Sequence, residues 1–334
     1  MQLKQIEAVY QNLTQSIEIL QNKLSLSYFD ALIETLENLL EQTINASDEL
    51  DDSTVNELKK IYRQIDVHDF ESEDWRQVVQ LLLLGSYKKQ AVQPNHQMTP
   101  DSIGFLLTFL MQKLIKKSNL HTLLDLGVGT GNLLSVIINN LKKAGYQLNA
   151  YGVDNDDTLL SIADVSTASQ KNENVELLHQ DAIDEIMVPK VDVVVSDLPI
   201  GYYPIDERVQ NFKSKAEKGH SFAHYLLIER GINQLADAGW GFFIIPSGLF
   251  ENEDAQKLLK TIQNKAFLQG ILNLPQDLFV NEKSRKAIMM VQHKGQQAHQ
   301  AQQILLGDFP SMKNQAEFSK FLNEIDLWVK QNIK

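Results

Sequence analysis

The chain of 334 residues contains no cysteine. Disulfide staples, thiolate metal sites and cysteine nucleophiles are therefore excluded. It also lacks any apolar run near the ~18 residues that a membrane span needs, so no membrane partner is expected. The N-terminal segment is polar and helical in pattern, without the basic-then-apolar layout of a signal peptide. A cytoplasmic location is the resulting expectation. Other absences narrow the chemistry. His220 and His224 have the spacing of a zinc pair, but the glutamate of H-E-x-x-H is missing, so packing or loop roles are favoured and no metal is expected. Ser247 stands in Pro-Ser-Gly and not in G-x-S-x-G, which argues against a hydrolase nucleophile. There are no internal repeats and no low-complexity tract; the Gln-rich stretch from Gln296 to Gln303 reads as an exposed loop.

Basic charge is in short supply as well. The net charge is -12, which counts against an open, sequence-independent grip on nucleic acid. The imbalance is local: residues 1–95 hold 16 acids and 8 bases, whereas residues 96–334 hold 27 acids and 23 bases. The acidic part reads as all-helical, with Leu13, Ile17, Leu20 and Leu24, then Leu32, Leu36, Leu39 and Leu40, recurring at helical spacing. A further helix is expected across Trp75 to Tyr87. This part carries no chemical motif; it reads as a bundle that packs on the rest of the chain or on a second copy. Trp75 and Trp240 read as core or domain-contact residues.

A boundary follows at Gln97-Met98-Thr99-Pro100-Asp101, where Thr99 suits an N-cap, Pro100 a first helical residue and Asp101 the positive helix end. Beyond it strands and helices alternate. The expected strands are 121–126, 148–154, 175–181, 191–197, 240–246, 269–274 and 287–293, with helical segments between the first six and a loop between the last two. That pattern predicts an open, mostly parallel seven-stranded sheet ending in a hairpin, with a closing amphipathic helix from Phe318 to Val329. The domains expected are 1–95 (helical), 96–310 (α/β) and 311–334 (a C-terminal helix packed on it).

What the chain does contain is the stretch Leu123-Leu124-Asp125-Leu126-Gly127-Val128-Gly129-Thr130-Gly131-Asn132. It reads as a buried strand, a glycine turn and a helix start, an arrangement that lets backbone approach a ligand. The third glycine comes one residue earlier than in the dinucleotide fingerprint G-x-G-x-x-G, which moves the expectation from NAD to S-adenosylmethionine. No lysine follows in the P-loop manner, which argues against an ATPase. Four consecutive strands end in or lead into an acid, namely Asp125, Asp154, Asp181 and Asp197, and ligands of open α/β sheets bind at those strand ends. Asp125 suits either holding the turn or receiving the ammonium group of the cofactor's methionine part. Asp154 suits two ribose hydroxyls, as it would in a dinucleotide enzyme. Asp181 suits an adenine amino group or, equally, a helix N-cap.

The fourth strand runs into Asp197-Leu198-Pro199-Ile200-Gly201-Tyr202-Tyr203-Pro204. Two prolines, a glycine and two tyrosines after a buried strand make a rigid aromatic platform suited to a flat, amine-bearing acceptor. A carboxylate and a backbone carbonyl accepting both amino hydrogens favour attack of the amine on a sulfonium methyl, with positioning and electrostatics sufficient.

With these residues the chain resembles the amino-methylating class I methyltransferases, and most of all the DNA adenine type found in modification subunits of type I restriction systems. The resemblance runs in order from Gln97 to Lys294. Gln97-Met98-Thr99-Pro100 is similar to a Phe-Thr-Pro segment, which implies that Thr99 lies beside the cofactor's methionine part. Asp125, Gly127, Gly129 and Gly131 match the glycine motif. Asp154 with Asn155, and Asp181 with Ala182, match the ribose and adenine contacts. Asp197-Leu198-Pro199-Ile200-Gly201 falls where the family has Asn-Pro-Pro-Phe-Gly or Asp-Pro-Pro-Tyr; Ile245-Pro246-Ser247-Gly248 and Leu274-Pro275-Gln276-Asp277-Leu278-Phe279 resemble later segments.

The resemblance implies a class I methyltransferase (Rossmann-like) α/β fold with an N-terminal helical domain. It implies S-adenosyl-L-methionine as cofactor, and N-methylation of adenine's exocyclic amine in DNA, or RNA, as activity. Asp197, Leu198, Pro199 and Tyr202 would be catalytic, with Asp197 also at the cofactor. Nucleic acid, DNA before RNA, is the implied partner, and the N-terminal helices would serve a homodimer or a specificity subunit. The chain departs from the family at Leu198, where it has proline, and at Ile200, where it has the aromatic that stacks on the base. It also shows no separate target-recognition domain. A protein amide or small amine as acceptor, or a cofactor-binding protein without catalysis, are the alternatives. Arg208, Lys213, Lys215 and Lys218, then Lys283, Arg285 and Lys286, are expected at the same edge, either binding phosphates or as solvated loops.

Overall fold

A computed structural model describes residues 2–87, 97–251 and 255–333. The expected domain boundary at 95/96 lies outside the described residues. The first part is a helical bundle of α1 (Gln2–Leu24), α2 (Tyr28–Glu41), α3 (Asp52–Tyr62) and α4 (Ser72–Tyr87). Ser27 and Asp51 start α2 and α3 as N-caps, accepting from the backbone N–H of Asp30 and Thr54. The periodic leucines do what their spacing predicts: Leu13, Ile17, Leu20, Leu32, Leu36 and Leu39 fill the bundle core with Trp75 and Leu82. Ile162 and Val165, from a helix of the second part, complete that core. The bundle therefore packs on the rest of its own chain.

The second part alternates α5 (Asp101–Leu114), β1 (Thr122–Leu126), α6 (Asn132–Lys143), β2 (Asn149–Asp154), α7 (Asp157–Ser169), β3 (Val175–His179), β4 (Val191–Asp197), α8 (Ala223–Gln234), β5 (Leu235–Pro246), α9 (Ala255–Lys265), β6 (Ala266–Asn273), β7 (Lys286–His293), β8 (Leu305–Asp308) and α10 (Gln315–Asn332). Among the described residues the sheet has eight strands in the order β3-β2-β1-β4-β5-β7-β6-β8. β7 is antiparallel to both β5 and β6, and every other pairing is parallel. This is the class I methyltransferase fold with one added strand. Val193 and Val195 on β4, with Phe242 and Ile244 on β5, face α5, α6 and α10. Val194, Phe243 and Ile245 face α8 and α9. Burial on both faces explains why these strands read as continuous apolar runs.

The structure departs from the sequence expectation in three places. β8 adds an eighth strand between the expected loop at Gln296–Gln303 and the expected helix from Phe318, where no element was expected; it is only four residues long with no fully buried residue, so it carries almost no pattern. No helix separates β3 from β4: turns fill the gap, and Asp181 caps one of them through the Ile183 N–H at 2.9 Å. Thr99 is not the N-cap of α5. Pro100 holds that position without a side-chain bond, and the Thr99 hydroxyl is used elsewhere.

Helices α5 and α6 cross closely at Gly104, where an added Cβ would lie 2.5 Å from Val136 Cγ1. Gly104→Val is expected to lower stability by about 1–3 kcal/mol through overpacking. Urea unfolding would register this as a lower midpoint at unchanged slope.

Candidate active site

The sheet order reverses between β1 and β4, and the crevice outside their carboxyl ends is where an α/β sheet takes a ligand. The turn after β1 places Gly127, Gly129 and Gly131 at φ of +87°, +52° and +78°, values that L side chains adopt only under strain. The N–H groups of Gly127 and Val128 both donate to the Val153 carbonyl, tying the turn to β2. An added Cβ at Gly129 would meet no atom within 4 Å, so the turn presents bare backbone to open space there. At Gly131 it would lie 3.1 Å from the Ala163 Cβ, which explains the third glycine as a close approach of α6 to α7.

The acids gather around this turn. Asp125 is 1% exposed and its Oδ1 has no hydrogen-bond partner among the described residues. Burial, then the charges of Asp154 and Asp197, push its carboxyl well above the usual carboxylate range. Asp154 accepts from the Gly129 N–H at 2.7 Å and from the Asp156 N–H at 3.0 Å, one bond on each oxygen. Asn155 beside it is exposed, and its carbonyl is 3.2 Å from His179 Nε2. Asp181 is more committed: its Oδ2 accepts from the Tyr203 hydroxyl at 2.7 Å and from Arg208 at 3.1 Å. Burial and Asp181 together push the Tyr203 hydroxyl up to about 12. Ala182 is half-buried next to it.

Asp197 ends β4 with both oxygens engaged. Thr99 donates to Oδ2 at 2.9 Å and Lys286 to Oδ1 at 2.6 Å. A carboxylate offers about four lone-pair directions, so each oxygen keeps acceptor capacity. Lys286, which the sequence places in a surface cluster, is thus part of the site. Its backbone is opposite Pro246 in the β5–β7 ladder, and that register brings it to the β4 edge. Leu198 is buried and donates its N–H to the Ile244 carbonyl at 3.2 Å. The two tyrosines part company: Tyr203 is buried on Asp181, whereas Tyr202 is 62% exposed and stacks on Phe222 at 4.7 Å with rings 20° apart. Ile200 is half exposed beside them.

Three of the seven basic residues expected at this edge are paired with acids. Arg208 pairs with Asp181 and Asp184, Arg285 with Asp308, and Lys286 with Asp197. His220 and His224 do not face a common centre: His220 pairs with Asp206, while buried His224 bonds the Pro199 backbone and burial pushes its imidazole down to about 4. His224 therefore stays neutral and supports the Pro199 turn.

Residues 82–328 match the family model described as N-6 DNA methylase. The chain belongs to that family. Residues 7–86 match the YtxK N-terminal helical domain. The chain is 38% identical over 332 residues to the uncharacterized protein YtxK of Bacillus subtilis strain 168, covering 99% of each. The crystal structure of a candidate class I S-adenosylmethionine-dependent methyltransferase from Listeria monocytogenes superposes with a TM-score of 0.91 at 37% identity, over 97% of this chain and 99% of that one. A type I restriction-modification methyltransferase subunit from Streptococcus thermophilus shares the fold, with a TM-score of 0.64 at 16% identity over 95% of this chain and 74% of that one. As a family member with this fold, the chain is of the S-adenosylmethionine-dependent, N6-adenine methyltransferase type.

Proposed function

We propose that the chain binds S-adenosylmethionine against its glycine turn and methylates an exocyclic amine, that of adenine in nucleic acid, with DNA before RNA. The observation that carries this reading is the gathering of Asp125, Asp154 and Asp197 around bare glycine backbone at one sheet edge, with one buried Asp125 oxygen unpartnered. When bound, the cofactor supplies a methyl group activated on a sulfonium. Asp125 fits its ammonium group, because a buried carboxylate lacking a donor is stabilised by a cation placed against it. Asp154 keeps acceptor capacity for ribose hydroxyls while it braces Gly129. Asp181 and Ala182 stand at the adenine end, where Asp181 also anchors Tyr203 and Arg208.

Asp197 and the Leu198 carbonyl accept the two hydrogens of the acceptor amine. This turns its nitrogen toward the methyl and stabilises the positive charge that develops there as the N–C bond forms and the S–C bond breaks; the neutral thioether is the leaving group, and one amine proton is then lost to water. Thr99 and Lys286 hold the Asp197 carboxylate still while it does so. Tyr202, backed by Phe222, offers the exposed aromatic face that Ile200 does not. A base in a duplex has to leave the stack to reach it. Tyr202→Ala is expected to raise the acceptor KM by about 5- to 150-fold, the equivalent of ~1–3 kcal/mol of stacking. Cofactor affinity should stay unchanged, which separate titrations would verify.

One observation favours a second reading of the acceptor. Arg208, Arg285 and Lys286 are paired with acids and do not offer an open phosphate grip, which suits a protein amide or small amine. Calorimetric titration with S-adenosylmethionine, its demethylated product and NAD tests the cofactor. Labelled-methyl transfer to DNA, RNA and protein then tests the acceptor. Micromolar binding of the first two ligands with label in DNA or RNA supports the proposal. Label in protein alone moves it to the second reading. Absence of cofactor binding sinks both.

A further inference from the structure

The helical bundle shows no motif of its own, yet one of its side chains reaches the site. Arg76, on α4, is 2% exposed. Its Nε and Nη2 donate to the two Glu73 oxygens at 2.9 and 2.6 Å. Its Nη1 and Nη2 donate to the two Asp101 oxygens at 3.1 and 2.9 Å. Nη1 also donates to Asn132 Oδ1 at 2.9 Å. All five guanidinium N–H groups are used, and the planar fork grips two carboxylates in bidentate fashion. Lysine, a point charge with three donors, cannot reproduce this.

The contacts beyond Arg76 matter more than the charge balance. Asn132 is the first residue of α6, directly after Gly131, and is 7% exposed. Its Nδ2 donates to the Thr99 carbonyl at 3.0 Å. The Thr99 hydroxyl donates in turn to Asp197 Oδ2 at 2.9 Å. The bundle is therefore joined, through Arg76, Asn132 and Thr99, to both the end of the glycine turn and the carboxylate of the motif. Gln80, also on α4, adds a bond to Asp101 Oδ1 at 2.7 Å.

We propose that Arg76 is a positioning residue through which the N-terminal bundle sets the glycine turn and Asp197, so that the bundle is a working part of the site. The functional consequence rests on the cofactor reading above; the mechanical link does not. A buried arginine that only balances charge would need neither Asn132 nor a path to Thr99.

The test compares the full-length protein with Arg76→Lys, Asn132→Ala and Leu13→Ala. Leu13 lies in the bundle core, so its truncation weakens the bundle without touching the link. Asn132→Ala cuts the link and leaves both ion pairs of Arg76 in place, which keeps the test valid if Arg76→Lys folds poorly. Two readouts are taken: calorimetric affinity for S-adenosylmethionine, and amide hydrogen exchange over residues 97–101 and 127–133 in ligand-free protein. Both link variants should lose about tenfold or more in affinity and exchange faster in those two segments. Leu13→Ala should lower the melting temperature while affinity stays within about twofold, below the ~1 kcal/mol typical of a single hydrogen bond. Unchanged exchange and affinity in the link variants overturn the proposal, as does Leu13→Ala matching them in both. If the wild-type protein binds no cofactor, the reading of function fails, and exchange alone decides whether the link exists.

Discussion

Asp125→Asn should make the ligand-free protein more stable and nearly abolish its binding of S-adenosylmethionine. The two effects have one cause. Asp125 lies buried with one oxygen unpartnered and two carboxylates nearby, so its ionised form is costly until a cation arrives. Its folded-state carboxyl binds a proton more tightly than in the unfolded chain. Below the ordinary carboxylate range it is protonated in both states and costs nothing. As pH rises from there toward the folded value, the unfolded chain releases its proton first, and stability falls. Asparagine removes that fall. The melting temperature at neutral pH should rise by about 2–4 °C for each kcal/mol of strain relieved. Losing the carboxylate opposite a buried ammonium should weaken cofactor binding about 100-fold or more. Scanning calorimetry across pH reads the first effect, and titration calorimetry the second. An unchanged affinity in Asp125→Asn would remove Asp125 from the cofactor site.

Asp197→Ala should behave in the opposite way, keeping the cofactor and losing the reaction. In the proposed reaction the carboxylate is the side-chain acceptor for the amine hydrogens, and removing one preorganised electrostatic partner typically costs about 100- to 1000-fold in turnover. Cofactor affinity should change by less than about threefold, since this is no more than a weak hydrogen bond's worth. Lys286 loses its partner but is 24% exposed and can turn to water. Asp197→Asn separates charge from hydrogen bonding: it keeps an acceptor oxygen and should retain more turnover than alanine. Single-turnover methyl transfer with labelled cofactor measures both variants. Equal activity in wild type and Asp197→Ala would place the chemistry elsewhere.

How much of this was legible beforehand depended on how far apart the contributing residues stand. The glycine turn and its helix start lie within one short stretch, so their chemistry shows in the order of residues. The acids were legible because parallel strands share one carboxyl edge, which brings Asp125, Asp154 and Asp197 together without any tertiary detail. Arg76 was not legible. It stands three residues after Glu73, the spacing of a local ion pair, and its other partners Asp101 and Asn132 are 25 and 56 residues away. Thr99 before Pro100 has the makings of a cap, and only the fold reveals that Asp197 takes its hydroxyl. Lys286 was expected at this edge, as a phosphate contact or as loop charge; its bond to Asp197 is set by the β7 register. Tyr202 and Tyr203 could not be told apart in advance, because adjacent extended residues point in opposite directions and only packing decides which is buried.

The strand order has a consequence for when the site comes into being. β5 and β6 are consecutive in the chain but are not neighbours in the sheet; β7, synthesised after both, is inserted between them. A nascent chain that has just made β6 has a gap in its sheet and no lysine beside Asp197. Closing that gap brings in contacts distant in sequence, which are slow to form because the intervening loop must first be ordered. The glycine turn, Thr99 and Asp197 all precede residue 200, whereas their last companion is delivered only when Lys286 swings into register. A refolding experiment should therefore find the Asp197–Lys286 pair completed late, after the glycine-turn side of the sheet has already formed.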